Sequence, residues 1–348
     1  MFKDRKVLIF GGTGQDGSLL ASYLVDELDY NAENITVTTT SLSESNLFRL
    51  QYFKLIGRVN LRQYSMDADD PTDIIQSSNP DYVYLLSGSP YTTSSIATVA
   101  QTSLTNTYGF SRIIESLRDC SPDSSIFIAG SSEMYGSGPS SDISVGIESN
   151  NLCMPTNPYG ASKLYQYHLA NQYREYYGLD ISYGILFNHE SELRGRQFVS
   201  KKIVSNLVRY KLTQNHKFSM GNLSSERDWS SASDFVRGFA TITENRSNKA
   251  YIFSSGTKIS VRDFVIATTE LLELPCHFEG LYLSEKLICD VTGKTILDVS
   301  TRYYRTNDTK PLFGDSSPLM TEHNWERKYP LNRLIQTMIK FEFDRQQR

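Results

Sequence analysis

Short apolar runs alternate with longer mixed stretches through the first half of the chain. VLIF (7–10), ITVTT (35–39), VYLL (83–86), SIFIA (125–129) and ISYGILF (181–187) have the length and the apolar character of strands buried on both faces. Helix-length segments at 15–28, 71–78, 98–118 and 158–176 separate them. This alternation predicts an α/β fold, a doubly wound parallel sheet with helices on both faces. After Phe187 the rhythm changes to a charged, glycine-containing loop (NHESELRGRQ) and a helix-like segment at 197–212. A further strand is expected in KAYIFSSG (249–256), and Ser260 stands as a cap before VRDFVIATTELL. The tail, 270–348, mixes short strands with TKPLFGDSSP and ends in an amphipathic helix around LNRLIQTMIKF. The pattern predicts a smaller α/β lobe interleaved with the first: residues 1–187 and 228–258 against 188–227 and 259–348.

Composition narrows the class. The 348 residues are 39% hydrophobic and 21% charged, with a mean hydropathy of −0.38, which suits a globular chain with a substantial core. A net charge of −4, a pI near 5.8 and one short basic cluster from Arg196 to Lys202 argue against non-specific nucleic-acid binding. The opening MFKDRKVLIFGG reads as a strand broken by glycines, not as a leader. No window reaches the roughly 18 consecutive apolar residues of a membrane span, so a cytoplasmic protein with no membrane partner is expected. Cys120, Cys153, Cys276 and Cys289 are far apart, and the five histidines form no HxxxH or HExxH pair. Buried free thiols and no metal site are expected.

Gly11-Gly12-Thr13-Gly14-Gln15-Asp16-Gly17 stands between the first strand and the first helix. Glycines at 11, 14 and 17 allow a tight turn, close backbone approach to a pyrophosphate, and a helix N-terminus facing the anion, the needs of a Rossmann-like dinucleotide site. Gly11, Thr13, Gly14, Gln15, Asp16 and Gly17 are therefore candidate cofactor contacts. An acid ending the second strand would hold the ribose of NAD, but here that strand ends TTTSLS. Thr40 and its neighbouring hydroxyls can surround a 2′-phosphate, and Arg49 can add charge there or serve as a solvated helix residue. NADP is favoured, with NAD left open. Asp67-Ala68, after the strand candidate LRQY, can meet the adenine edge, or Asp67 can cap a helix.

Two further motifs carry chemistry. Ser131-Ser132-Glu133-Met134-Tyr135-Gly136 places a carboxylate just past a buried strand, where an unpartnered charge is costly. Tyr159 and Lys163 follow Pro158 at i and i+4, on one helical face. A free phenol, with a pKa of about 10, is a poor base near neutrality, and an adjacent ammonium together with an oxidised nicotinamide can lower that value.

With these motifs the chain resembles the extended short-chain dehydrogenases/reductases, and most closely the GDP-mannose 4,6-dehydratase type. The stretches GGTGQDGS, SSEMYG, NPYGASKLYQY, YREYYG, GILFNHES, RGRQFVSKKI, GNLSSERDWSSASDFV, SGTKISVRDFV and RYYR carry the resemblance in order along the chain. It implies that Ser131, Glu133, Tyr159 and Lys163 are catalytic, with Ser131 standing where the family has Thr. Tyr159 would take the C4 hydroxyl proton and Ser131 hold the oxygen, and Glu133 would act as base at C5 and acid at C6. Tyr159 and Lys163 would also contact the cofactor. Asn188, Glu190, Arg194, Lys202, Arg227 and Arg305 would bind the nucleotide sugar, arginines being suited to a diphosphate. Asn106 would help hold the catalytic helix, and Trp229 reads as core.

The departures are informative. TTTSLSES replaces the family's paired arginines, and Leu86-Ser87-Gly88-Ser89-Pro90-Tyr91 replaces an Ala-Ala-Gln-Ser-His type segment. That loop would put Leu86 and Ser87 at the cofactor and Ser89 at the sugar, so a GDP-heptose or another hexose stands beside GDP-mannose as substrate. A homo-oligomer, dimer or tetramer, is also implied. Other readings are an epimerase or reductase on a related nucleotide sugar, and a non-catalytic dinucleotide-binding sensor.

Overall fold

The computed structural model describes residues 3–89, 98–136, 151–304 and 313–347. It divides into two compact units, Met1–Phe187 with Ala232–Phe253 and Gly314–Glu326, and Asn188–Ser231 with Ser254–Phe313 and Arg327–Arg348.

The first unit is built on seven parallel strands. In chain order six of them are β1 (Val7–Phe10), β2 (Ile35–Thr39), β3 (Asn60–Gln63), β4 (Tyr82–Leu85), β5 (Ser125–Ala129) and β6 (Asp180–Leu186). The seventh strand, Ala250–Phe253, lies at one edge, and the spatial order from it is β6, β5, β4, β1, β2, β3. Val7 pairs with Ile35 on one side and Tyr82 on the other, so the strand order reverses between β1 and β4. In a doubly wound sheet the crevice beyond the carboxyl ends at this point is where ligands bind. β1, β2, β4 and β5 are buried along their whole length, the threonines of β2 and Ser125 of β5 included.

Helices α1 (Gln15–Asp26), α2 (Glu44–Tyr52), α3 (Thr72–Ser78), α4 (Val99–Ser103), α5 (Phe110–Cys120) and α6 (Pro158–Tyr177) make the crossovers. The helix expected over 98–118 is not continuous. A π-helical turn, Leu104–Gly109, separates α4 from α5, and a Cβ on Gly109 would lie 2.4 Å from the Met66 carbonyl oxygen. α2 and the helix Ala232–Glu244 were not apparent in the sequence pattern.

The segment Gly314–Glu326, assigned from sequence to the smaller lobe, belongs to the first unit. Its Trp325 donates to Asp234 O at 2.9 Å and packs on Phe235 and Phe253, beside the stacked pair Phe127–Phe239. Burial of that large ring outweighs sequence proximity to the other lobe. The boundaries around it fall at Ala232 and Phe253 rather than 228 and 258.

The second unit holds a four-stranded sheet ordered Cys276–Glu279, Lys286–Cys289, Thr295–Val299, Phe218–Met220, antiparallel except for the last pair. Helices Val199–Thr213, Val261–Leu271 and Leu331–Gln346 contribute to its core. Ser260 caps the second of them in a reciprocal capping box with Asp263. Trp229 is buried edge-on against Phe264, as core. A buried ion pair, Lys201 Nζ to Glu342 Oε1 at 2.6 Å, joins the first helix to the last. Of the four free cysteines only Cys289 is buried; Cys120, Cys153 and Cys276 are half-buried, contrary to the expectation for all four. Among the described residues no helix is long and apolar enough to cross a membrane.

Candidate functional site

The glycine loop leaves β1 at the strand-order reversal. Gly11 has φ +85°, a conformation that favours glycine, and its N–H donates to Thr38 Oγ1 at 3.0 Å. A Cβ on Gly11 would come within 2.8 Å of the Ser87 nitrogen, so Leu86-Ser87, just past β4, lie directly against the loop. A Cβ on Gly17 would meet Gly11 O at 2.3 Å, which allows α1 to begin immediately over the strand end. Gly14 is the N-cap of α1 and supplies no side-chain cap, so the first turn is open to an anion, with Gln15 and Asp16 in it. These features fit a dinucleotide pyrophosphate.

Around the second strand end, Thr13 Oγ1 donates to Thr39 Oγ1 at 3.2 Å, and Arg49 donates to Thr13 O at 3.1 Å. The structure thus brings Arg49 to the glycine loop and leaves the Thr40 side chain exposed, with the Asn46 amide 3.4 Å from its hydroxyl. Asn46 was not singled out from sequence, where nothing distinguishes it from any polar residue of a helix start. Asp67 accepts hydrogen bonds from Ser65 and, at 2.7 Å, Gln101; these hold its carboxyl below the usual carboxylate range. Ala68 beside it is exposed.

The catalytic candidates gather at the end of β5. Ser131, buried, caps a 3-10 turn over Ser132–Tyr135 and accepts the Glu133 N–H at 3.3 Å. A Cβ on Gly160 would lie 2.4 Å from Glu133 O, so this turn sits on the first turn of α6. Asn157 is the N-cap of α6, its Oδ1 accepting the Gly160 N–H at 2.8 Å, and Pro158 follows it. The Asn157 amide donates to Glu133 Oε2 at 2.9 Å. One partner of the Glu133 carboxylate is thus the helix cap itself.

One turn into α6, Lys163 is 5% exposed and its Nζ lies 5.9 Å from the Tyr159 ring centre. Nζ donates to Ala129 O at 2.7 Å and Gln166 Oε1 at 3.1 Å, both neutral acceptors. Burial pushes its pKa down to about 8. Gln166 in turn donates to the backbone carbonyl of Asn106 at 2.7 Å, within the π-helical turn. The Asn106 side chain, fully buried, donates to Ser162 Oγ and Ser89 O and accepts the Ser89 N–H at 2.8 Å. Ser89 is thereby tied to α6 through Asn106. Pro90 and Tyr91 lie outside the described residues. Gln166 was missed in the sequence because a glutamine in a polar helix carries no signal of burial.

In the second unit, Asn188 and Glu190 lie on a short strand paired in parallel with Trp229–Ser231. Glu190 is buried against Ser200 (2.5 Å) and paired with Arg194 Nε (3.1 Å), so its carboxylate holds the loop in place. The Arg194 guanidinium lies over the Phe198 ring at 3.6 Å. Lys202 Nζ donates to Ser219 O at 2.7 Å over the Tyr303 ring; burial, and secondarily Arg302, lower its pKa. Arg227 donates to Glu226 O at 2.7 Å, next to Asp228, whose buried carboxylate accepts from the N–H groups of Ser255 and Gly256. Arg305 lies outside the described residues.

Comparison with known proteins agrees with this geometry. The family model described as GDP-mannose 4,6 dehydratase matches residues 8–338. A GDP-mannose 4,6-dehydratase of Sinorhizobium fredii (strain HH103) is 31% identical over 345 residues, covering 97% of this chain and 96% of its own. In fold, the chain is similar to a UDP-N-acetylglucosamine 4-epimerase from Methanobrevibacter ruminantium solved with UDP-N-acetylmuramic acid (TM-score 0.80, 18% identity, 99% of each chain). It is also similar to RMD from Pseudomonas aeruginosa solved with NADPH (TM-score 0.77, 15% identity, 98% of this chain and 99% of that one). With its parallel sheet, its glycine loop and a match from end to end, the chain belongs to the GDP-mannose 4,6-dehydratase family.

Proposed function

We propose that the chain is an NADP-dependent hydro-lyase converting a GDP-hexose, GDP-mannose or a close relative such as a GDP-heptose, into the GDP-4-keto-6-deoxy sugar. The observation that carries this is the joining of Glu133 to the Tyr159–Lys163 helix through Asn157. The glycine loop of Gly11, Gly14 and Gly17 would hold the dinucleotide, which would supply a reversible hydride acceptor for C4 and C6.

Tyr159 takes the proton of the C4 hydroxyl, helped by the buried Lys163 ammonium, while the Ser131 hydroxyl bonds the same oxygen. The ketone formed at C4 acidifies the C5 hydrogen, which Glu133 removes. The same carboxyl then gives its proton to the C6 hydroxyl, the C6–O bond breaks, and water leaves as the C5–C6 double bond forms. Once C6 is reduced, C5 takes a proton that Glu133 draws from solvent, Tyr159 gives up the C4 proton to solvent, and the cofactor would not be consumed. A 4-epimerase requires no acid–base group at C5 and C6, so Glu133 favours dehydration. Arg194, Lys202 and Arg227 are cationic groups of the kind suited to a diphosphate. The hydroxyls at Thr39 and Thr40 with Arg49 favour NADP over NAD.

The test is mass spectrometry of GDP-mannose incubated with the protein and NADP⁺. Loss of one water without net reduced cofactor supports the reading. An unchanged GDP-mannose with a dehydrated GDP-heptose moves the substrate, and no dehydration of any nucleotide sugar ends it.

A further inference from the structure

We infer that Asn157 is the positioning residue for the dehydration step, holding the Glu133 carboxylate by one oxygen so that the other is free to move protons; this rests on the function proposed above. Asn157 faces two partners whose polarity is unambiguous. The Gly160 N–H can only donate, so the amide oxygen must face it, and the amide nitrogen then faces Glu133 Oε2. The turn bearing Glu133 packs directly on the helix start, its carbonyl occupying the space a Gly160 side chain would need. One amide therefore fixes both the start of the helix that carries Tyr159 and Lys163 and the oxygen that remains to Glu133. The carboxylate must act twice, as base at C5 and as acid at C6, and a fixed orientation serves both steps without a search between them.

The two roles of Asn157 separate by substitution. Serine and aspartate are both good helix caps, but neither donates as an amide does, and aspartate sets a second carboxylate against Glu133. The experiment uses full-length wild type, Asn157→Ser and Asn157→Asp with GDP-mannose and NADP⁺. It reads single-turnover cofactor reduction, water loss, deuterium uptake at C5 from heavy water, and the melting temperature.

Asn157→Ser is expected to melt close to wild type and to reduce cofactor at nearly its rate. Water loss and C5 exchange fall about tenfold, and Asn157→Asp falls further at those steps. A residue acting only as a cap predicts the reverse order, with Asp at least as good as Ser, and all steps falling together. That pattern, or unchanged water loss in Asn157→Ser, overturns the inference while the dehydratase reading stands. Absence of water loss in the wild type removes both.

Discussion

Gln166 binds Lys163 and Asn106 at once: its amide oxygen receives the Lys163 ammonium at 3.1 Å and its nitrogen donates to the Asn106 carbonyl at 2.7 Å. The ammonium is held by neutral groups alone, and burial brings its pKa to about 8. Lys163 is charged below that value and loses its charge above it. In the proposed mechanism proton removal by Tyr159 depends on that charge, so kcat should decline as pH rises through about 8. Gln166→Glu puts a carboxylate beside the ammonium, which favours the charged form and should carry the alkaline limb to higher pH. A limb that stays where it was would dissociate it from Lys163. Stability responds with its own sign: between about 8 and the ordinary lysine value the unfolded chain keeps a proton the folded chain has shed, so this group's contribution rises with pH there.

Two glycines of the first loop should respond differently to alanine. Gly17→Ala drives a methyl to 2.3 Å from Gly11 O and 2.7 Å from Gly12 Cα, and should cost roughly 1–3 kcal/mol of stability along with cofactor binding. Gly14→Ala meets only Gly11 O, at 3.1 Å. It should keep most of the stability and weaken the cofactor. Denaturant titration with and without NADP⁺ separates the two; equal stability losses would contradict the packing argument.

Arg49→Ala tests the choice of cofactor. An arginine–phosphate bond contributes about 1.5–3 kcal/mol, so NADP⁺ affinity should drop roughly tenfold or more while NAD⁺ affinity changes little. Calorimetric titration of both dinucleotides checks this. Equal losses would mean that Arg49 serves only its bond to Thr13 O.

Glu342→Ala leaves the Lys201 ammonium buried without a carboxylate, bonded to the Glu192 carbonyl and over the Phe341 ring, and takes from Arg345 the carboxylate it binds at 2.5 Å. The expected loss is about 3–5 kcal/mol in urea unfolding of the second unit. The pair Lys201→Met with Glu342→Leu should lose much less. If the single and double variants unfold alike, the ion pair carries no special weight.

β1 and β4 were legible because they are apolar throughout and covered on both faces. The glycine loop was legible because its spacing sits between a strand and a helix. Other features left no local trace. α2 buries only Leu50, so its periodicity is faint, and the helix Ala232–Glu244 follows the strand Trp229–Ser231 directly, with no loop to mark its start. Glu190 was named through the family resemblance alone, and its contacts with Arg194 and Ser200, residues four and ten positions on, are not announced by any local pattern. The placement of Trp325 depends on contacts about ninety residues distant, which composition and spacing do not encode.

The π-helical turn at Leu104–Gly109 acts as a phase adjuster. Each residue of a regular helix advances the side chains by about 100°, and the extra residue lets the segments before and after it keep different faces inward while the fully buried Asn106 points to Ser89 and Ser162. Substitutions on the outer face of this stretch leave that phase intact. Deletion of a single residue would give a straighter, more regular helix and turn everything beyond it out of step with Lys163. The length of this segment is therefore under tighter constraint than most of its letters.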